Sequence, residues 1–323
     1  MALLIQNSQD SMLPDKKRWF RWGTFVEEAS ERSLVSPLTL KRPAGRITYW
    51  LVFALLLVFT LVTLGPVYWV FSGALKSSIE IFQTPPTFWP LHPQWVNYSN
   101  AWNVLNFPLY FGNTLVLAVG AVVLQILVSA TAAYALSKLR PAGRSLIQFC
   151  FFCTLMVPPV AYLIPQFVNI SDLPLIHVSL INSWAGVWLP EAASAFSILV
   201  FKSFFDGIPT ELTDAARLDG ANAWQLFTRI ILPLSRPVLA VITIFTVVAS
   251  WKDFLWPLLV LSNSNIQPLI VAIYHESGIN SNFPLPFTYL IAGLALASIP
   301  PIILFLFFQR QIIHGITLTG LKG

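Results

Sequence analysis

Charged side chains are scarce in this sequence, so the places where they cluster are the first candidates for chemistry. Asp, Glu, Lys and Arg together make up 10% of the 323 residues. Several of them fall in one stretch, DAARLDGANAWQLFTRIILP, which runs from Asp214 to Pro233 between apolar segments. The sequence contains no G-x-x-x-x-G-K-[ST] phosphate loop and no catalytic constellation, so we expect no enzyme activity. The mixture of charged and apolar residues in the stretch instead indicates an amphipathic element that binds a surface.

Cysteine and histidine residues do not form a metal or redox site in the sequence. Cys150 and Cys153 have the C-x-x-C spacing, but they lie in an apolar run without a second ligand pair. We interpret them as small apolar side chains. The four histidines are far apart and lack the spacing of metal ligands. The sequence therefore predicts no catalytic residue, no metal and no cofactor.

The composition places the chain among membrane proteins. Hydrophobic residues make up 56% of it and its mean hydropathy is +0.69, whereas charged residues make up roughly 25% of ordinary soluble domains. A bilayer core requires about 20 apolar residues per helix. The stretches that are long enough cover residues 47–71, 111–136, 146–168, 183–205, 237–261 and 287–308. We therefore predict an all-α polytopic membrane protein with six transmembrane helices.

Lys and Arg are distributed unevenly between the segments that join these helices. The segment before the first span carries eight of them, and the second and fourth connecting loops carry Lys138, Arg140, Arg144, Arg217, Arg229 and Arg236. The loops on the opposite side carry only Lys76. Because positively charged loops remain in the cytoplasm, both termini are predicted to be cytoplasmic.

This topology defines the predicted domains. They are a cytoplasmic N-terminal extension, residues 1–46, a transmembrane domain, residues 47–308, and a cytoplasmic tail, residues 309–323. The transmembrane domain includes the cytoplasmic loop 206–236. Within the extension, residues 19–29 fit either a short interfacial helix or a solvated tail.

A few charged residues lie inside the apolar stretches. A charge at the bilayer centre costs about 2.5–3.5 kcal/mol, so such residues are functional candidates. Glu191 follows Pro190, which predicts a broken helix that lines a cavity. Trp251, Lys252 and Asp253 either border a translocation path or, alternatively, snorkel and pair with neighbours. If the pair is helical, Lys252 and Asp253 point about 100° apart, and we expect Asp253 to face the cavity.

The polar stretch itself predicts two short helices joined at a glycine. Thr210 is expected to cap the first helix, with Glu211 and Asp214 near its positive end and Leu212, Ala215, Ala216 and Leu218 on its apolar side. Gly220 suits the left-handed conformation that ends a helix. Ala223, Trp224, Phe227, Ile230 and Ile231 give the second helix its apolar spacing. Because Glu211, Asp214 and Asp219 are poor partners for anionic lipid, the element is expected to dock on a protein.

The same stretch resembles a known loop. It reads Asp214-Ala215-Ala216, then three residues, Gly220, nine residues, Ile230, one residue and Leu232-Pro233. Every one of these spacings is similar to that in the EAA loop of binding-protein-dependent ABC importer permeases. Asp214 replaces the usual Glu. Two further segments resemble the corresponding segments of sugar importers, in the branch of the maltose-permease second subunit. They are SWKDFLWPLLVL, which begins at Ser250, and the ending QRQIIHGITLTGLKG.

The resemblance implies a type I ABC importer permease in a bacterial inner membrane, which transports a sugar. Its implied partners are a second permease subunit, an ABC ATPase dimer, an extracytoplasmic solute-binding protein and membrane lipid, with no nucleic acid. The implied ATPase-coupling residues are Glu211, Asp214, Ala215, Ala216, Asp219, Gly220, Ile230, Leu232 and Pro233. The loop 262–286 is expected either to reach the docked binding protein or to be solvated.

Two other functions are compatible with parts of the sequence. An ion-gradient-driven secondary transporter would require intramembrane carboxylates as ion sites, of which the sequence has few, and an inverted repeat, of which the two halves show no convincing sign. A membrane anchor for a partner complex would explain the docking loop but not the polar residues of the fifth span.

Overall fold

The computed structural model describes residues 43–174, 176–277 and 285–320, with side chains described as far as Gln309. Within those ranges every regular element is helical. The helices are α1 (Pro43–Ala74), α2 (Ser78–Ile81), α3 (Val96–Val104), α4 (Phe107–Tyr134), α5 (Arg144–Met156), α6 (Pro159–Ser171), α7 (Trp184–Ala192), α8 (Ala195–Asp206), α9 (Thr210–Leu218), α10 (Ala223–Leu226), α11 (Leu232–Leu234), α12 (Arg236–Lys252), α13 (Leu255–Val260), α14 (Leu269–Glu276) and α15 (Phe287–Gly320). π turns at Ala135–Leu139 and Phe227–Ile231 follow α4 and α10. The interfacial helix considered for residues 19–29 lies outside the described residues.

The described residues fall into two units that divide after Pro66. In the first unit the described residues belong to α1, and its apolar side chains from Trp50 to Leu64 are exposed. The other helices and both functional regions belong to the second unit.

The helices account for the predicted membrane spans. Three segments, Pro43–Ala74, Phe107–Leu139 and Phe287–Gln309, are each long and apolar enough to cross a membrane. Three bent pairs pass the same test: α5 with α6, α7 with α8, and Ala223–Leu234 with α12. If each bent pair is one span, the described chain has up to six by length and composition, in agreement with the predicted all-α polytopic fold.

The third predicted span, 146–168, is not one straight helix. α5 ends at Met156 and α6 begins at Pro159, and the two are bent by 106°. Proline lacks a backbone N–H and disfavours helical geometry in the residue before it. Accordingly, Val157 and Pro158 are extended, with ψ angles of 121° and 136°.

The fourth span is broken, but not at Pro190 as expected. Pro190 lies inside α7, and the break of 46° follows Ala192. Pro190 has no N–H to donate to the Gly186 carbonyl one turn earlier. That carbonyl instead accepts a hydrogen bond from the Trp256 indole at 3.2 Å. Ser194 then begins α8 by accepting the Ser197 N–H.

The fifth predicted span, 237–261, is also interrupted. α12 ends at Lys252, and Asp253 is extended with φ −69° and ψ 120° before α13 begins. Pro257 cannot donate the N–H that a continuous helix requires, but it is tolerated in the first turn of a new one. The assumption that Lys252 and Asp253 occupy one helix, about 100° apart, is therefore wrong.

The segments outside the spans contain more helix than expected. α15 continues to Gly320, through most of the predicted tail 309–323. The outer segment 72–110 contains α2 and α3. The loop 262–286 contains α14, whose Leu269 and Val271 are buried, so this part of it is neither solvated nor free to extend.

Small residues on α4 allow other helices to pack closely against it. Ala118, Ala121, Ala130 and Ala133 are buried along its length. At Gly120 an added Cβ would lie 2.1 Å from the Trp188 ring, so only glycine fits there. Small residues serve the same purpose in membrane helix packing generally, where van der Waals contact replaces the hydrophobic effect.

Candidate functional site

The first half of the loop 206–236 is a short helix that ends at a glycine corner. Thr210 is the first residue of α9 and does not cap it, because Pro209 precedes it in the capping position. Gly220 has φ +84°, as predicted. Its N–H donates to the Arg217 carbonyl at 3.0 Å, and the Ala221 N–H donates to the Ala216 carbonyl at 2.9 Å. These two bonds form a Schellman motif, which fixes the direction of the chain after the helix.

The second half is not the single helix that the spacing predicts. Asn222 and Gln225 form a capping box at the start of α10, a local signal that the sequence carries. A π turn then follows, in which the Leu232 N–H reaches back to the Phe227 carbonyl. In the remainder, Ile230 and Leu232 are half-buried and Pro233 is exposed.

The loop is attached to the membrane helices through one hydrophobic cluster. Ala216, Leu226, Phe227 and Ile231 are buried in it together with Tyr134, Phe201 and Phe205. The Tyr134 ring packs on Phe227 at 5.1 Å, and its hydroxyl donates to the Ala223 carbonyl at 3.0 Å. α9 and α10 are thus held against α4 and α8. Tyr134 was not among the predicted site residues, since it lies far away in the sequence.

A polar cluster fixes the beginning of the loop. The Asp206 carboxylate accepts hydrogen bonds from the Ser137 hydroxyl at 2.6 Å and from the Lys202 ammonium at 2.7 Å. The Lys138 ammonium donates to the Ile208 carbonyl at 2.9 Å. Lys202, inside the fourth predicted span, is therefore paired within the protein.

The opposite side of the loop presents an apolar surface. Leu212, Ala215 and Leu218 are exposed along one side of α9, and Trp224 is exposed on α10. We call these four residues the apolar loop face. The Leu218 side chain is 90% exposed and Trp224 is 65% exposed.

The predicted apolar side of α9 is therefore divided, because Ala216 points into the protein core while the other three residues remain outside. Glu211, Asp214 and Asp219 are also exposed. Asp214 lies 3.5 Å from Arg217, and both side chains are solvated.

The structure brings together two of the four predicted path residues. Glu191 and Asp253 are half-buried beside the breaks in the fourth and fifth spans, and they interact electrostatically. Asp253 lies at the break itself, between the end of α12 and the start of α13. Trp251 packs elsewhere, with its indole N–H donating to the Ala297 carbonyl at 3.0 Å. Lys252 is exposed.

Hydrogen bonds between distant residues hold α7 beside α13. The Asn182 N–H donates to the Val260 carbonyl at 2.9 Å. The Asn182 side-chain oxygen accepts the backbone N–H groups of Ser262 and Asn263 at 2.6 and 2.9 Å. With the Trp256–Gly186 bond, these contacts join the segments that flank Glu191 and Asp253.

Three kinds of relative resemble this chain. The sn-glycerol-3-phosphate transport system permease protein UgpE of Yersinia pestis bv. Antiqua is 34% identical, over 81% of this chain and 93% of its own. The arabinooligosaccharides transport system permease protein AraQ of Bacillus subtilis is 32% identical, over 86% and 96%. The diacetylchitobiose uptake system permease protein NgcG of Streptomyces coelicolor is 29% identical, over 82% and 86%.

A solved structure and a protein family also match. A chain in the crystal structure of a bacterial ABC transporter involved in the import of the acidic polysaccharide alginate has a TM-score of 0.73 and 27% identity, and the match covers 83% of this chain and 98% of that one. Residues 125–317, which include the loop and both breaks, match the family described as binding-protein-dependent transport system inner membrane component. The chain belongs to this family and is a multi-pass inner-membrane permease with the type I importer fold.

Proposed function

We propose that the chain is the permease subunit of an ATP-driven importer of sugars or oligosaccharides, coupled to a cytoplasmic ABC ATPase dimer through residues 206–236. Relatives named for arabinooligosaccharides and diacetylchitobiose support a saccharide substrate. The family argues against the ion-gradient-driven alternative, since its transport depends on a binding protein. No cofactor is proposed for the subunit itself.

The apolar loop face is the observation that carries the coupling role. Leu218 and Trp224 are too exposed to stabilise the chain itself, and burying a side chain of this size contributes about 1.5–3 kcal/mol to association. Glu211, Asp214 and Asp219 border the face and would be repelled by an anionic membrane surface. A groove on the ATPase is therefore the occupant that fits, with Gly220 holding the two helices at their angle.

The contacts behind the face provide a route for movement into the membrane. When ATP binding closes the ATPase dimer, α9 and α10 would move with it. The cluster around Phe227, Phe201 and Phe205 would transmit this movement to α4 and α8. α12 follows α11 directly and ends beside Asp253, so the same movement would reach the break where Asp253 meets Glu191. In this proposal Ile230, Leu232 and Pro233 connect the face to α12, while Trp251 and Lys252 contribute to the wall of the path.

The orientation and the other partners follow from the charge distribution and the family. Loops rich in Lys and Arg would be cytoplasmic, with both termini on that side. The domains would be residues 1–46, 47–308 and 309–323, with the last one helical to Gly320. A second permease would complete the path, and a solute-binding protein would deliver substrate at the opposite face.

Replacing one leucine of the face tests the coupling role. Leu218→Gln removes apolar area from the apolar loop face, and we expect the ATPase that copurifies with the transporter to fall at least about tenfold. Leu234→Gln is the matched control, because Leu234 is exposed but lies outside the face. Equal recovery of the ATPase with Leu218→Gln and with the parent would exclude docking at this face.

A further inference from the structure

A cavity of about 440 Å³ lies where α6, the segment after it and α7 meet. Its size falls in the range of roughly 300–1,000 Å³ that is usual for small-molecule sites. Leu180, Leu189 and Pro190 form an apolar part of the cavity wall. Tyr162 and Gln166 are among the polar residues that line the cavity. The cavity is not part of the loop contacts described above, and its wall continues from Pro190 to Glu191.

Three polar side chains line the cavity from one side of α6. Tyr162, Gln166 and Asn169 are separated by four and three residues, so they share a face of the helix. Among the residues that the structure describes, their side chains make no hydrogen bond. Tyr162 and Asn169 are exposed and Gln166 is half-buried, so their polar groups are open to a polar ligand.

The charges around the cavity restrict the solute. No Lys or Arg lines it. The nearest charged groups along α7 and at the α12–α13 break are Glu191 and Asp253, which are both acidic. A phosphate or uronate group would therefore find no Lys or Arg in the lining to pair with.

Neutral hydroxyl groups, in contrast, match the lining. Amide and phenol groups can each donate and accept hydrogen bonds, as a sugar hydroxyl does. The Tyr162 ring and the leucine side chains provide apolar surface for the C–H faces of a sugar ring. The lining thus has the composition expected for an uncharged polyhydroxylated ligand.

We propose that this cavity is a subsite for one unit of a neutral saccharide, with Tyr162, Gln166 and Asn169 as its specificity-determining residues. The inference rests on the proposed importer function and adds the class of substrate to it. It predicts a cargo different from those of relatives whose names specify an anionic cargo, sn-glycerol-3-phosphate or the acidic polysaccharide alginate.

The test uses the complete transporter in proteoliposomes, with its partner permease, ATPase and binding protein. The probes are diacetylchitobiose and arabinotriose, which are neutral, and sn-glycerol-3-phosphate and an alginate trisaccharide, which are anionic. We expect ATP-dependent uptake of a neutral probe by the parent transporter. Gln166→Leu and Asn169→Leu should lower the amount of saccharide imported per ATP hydrolysed by about tenfold. Val160→Leu, on the exposed opposite face of α6, should match the parent.

The ratio of uptake to ATP hydrolysis separates a substrate contact from a folding defect, which would lower both rates together. Uptake of the anionic probes alone would overturn the inference and leave the importer function standing. Leucine variants that match the parent, or that lose uptake and ATPase activity in parallel, would also overturn it. Absence of ATP-dependent uptake of every probe would overturn the proposed function, and this inference with it.

Discussion

Residues 206–236 hold their shape with hydrogen bonds between near neighbours, whereas α7 and α13 are held by bonds between residues far apart in the chain. The Gly220 corner closes through bonds from Gly220 to Arg217 and from Ala221 to Ala216. The Trp256 indole, in contrast, reaches Gly186 across 70 residues. The corner of the loop is thus formed by local bonds, whereas the segments beside Glu191 and Asp253 are joined by bonds across the helix bundle. Changes in the loop should affect partner binding, and changes at the breaks should affect stability.

The largest effect is expected at the long-range bond. Trp256→Phe removes the indole N–H that donates to the Gly186 carbonyl. Pro190 has no N–H to replace it, and a buried acceptor without a hydrogen bond costs about 1–3 kcal/mol. Thermal unfolding of the purified transporter should therefore begin at a lower temperature. Trp95→Phe is the control, because Trp95 is exposed. If Trp256→Phe and the parent unfold together, the long-range bond does not stabilise the bundle.

The glycine corner should show the opposite behaviour, with partner binding lost and stability retained. Gly220→Val places a branched side chain at φ +84°, at a cost of about 1–2 kcal/mol, so the corner relaxes and the apolar loop face is displaced. Copurification should recover about 5–30-fold less ATPase.

Gly143→Val is a matched control for that substitution. Gly143 has φ +79°, and neither glycine has an atom within 4 Å of an added Cβ. Backbone strain is thus similar, but Gly143 precedes α5 and lies outside the docking loop. Equal losses of ATPase with the two variants would mean that strain, and not the Gly220 corner, determines association.

Asp253 combines the two behaviours and should give a smaller effect. Asp253→Ala removes the acidic group that interacts with Glu191 at the break between α12 and α13. We expect uptake to fall about fivefold while the assembled complex and its basal ATPase activity persist. Lys252→Met should be milder, because Lys252 is exposed. Abolished uptake with Lys252→Met and normal uptake with Asp253→Ala would reverse the roles of the pair.

The smallest effect is expected where the loop meets α4. Tyr134→Phe removes the hydrogen bond to the Ala223 carbonyl, but that carbonyl also accepts the Phe227 N–H. The loss should be about 0.5 kcal/mol, which is roughly a twofold decrease in ATPase association. Tyr68→Phe removes a similar bond, to Phe88, and should leave association unchanged. A Tyr134→Phe decrease of tenfold or more would show that the loop is less self-contained than its local bonds indicate.

The sequence allowed the parts with local causes to be predicted. The apolar runs indicated the membrane helices, and Gly220 indicated the corner, because each is determined by residues a few positions apart. The capping box at Asn222 and Gln225 and the cap at Ser194 are also determined by residues three positions apart. The break after Ala192 could not be located from Pro190 alone, because Trp256 compensates for the missing donor.

The π turn at Phe227–Ile231 also constrains the length of the chain in this region. A π turn contains one more residue than the α-helical turn it replaces, so deleting a residue there would restore plain α-helix. The helix beyond it would keep its direction, because a π turn takes up its extra residue within the turn itself. A deletion in regular α-helix, by contrast, would rotate everything beyond it by about 100°. The chain between Leu226 and Leu234 should therefore tolerate the loss of one residue within Phe227–Ile231 better than outside it.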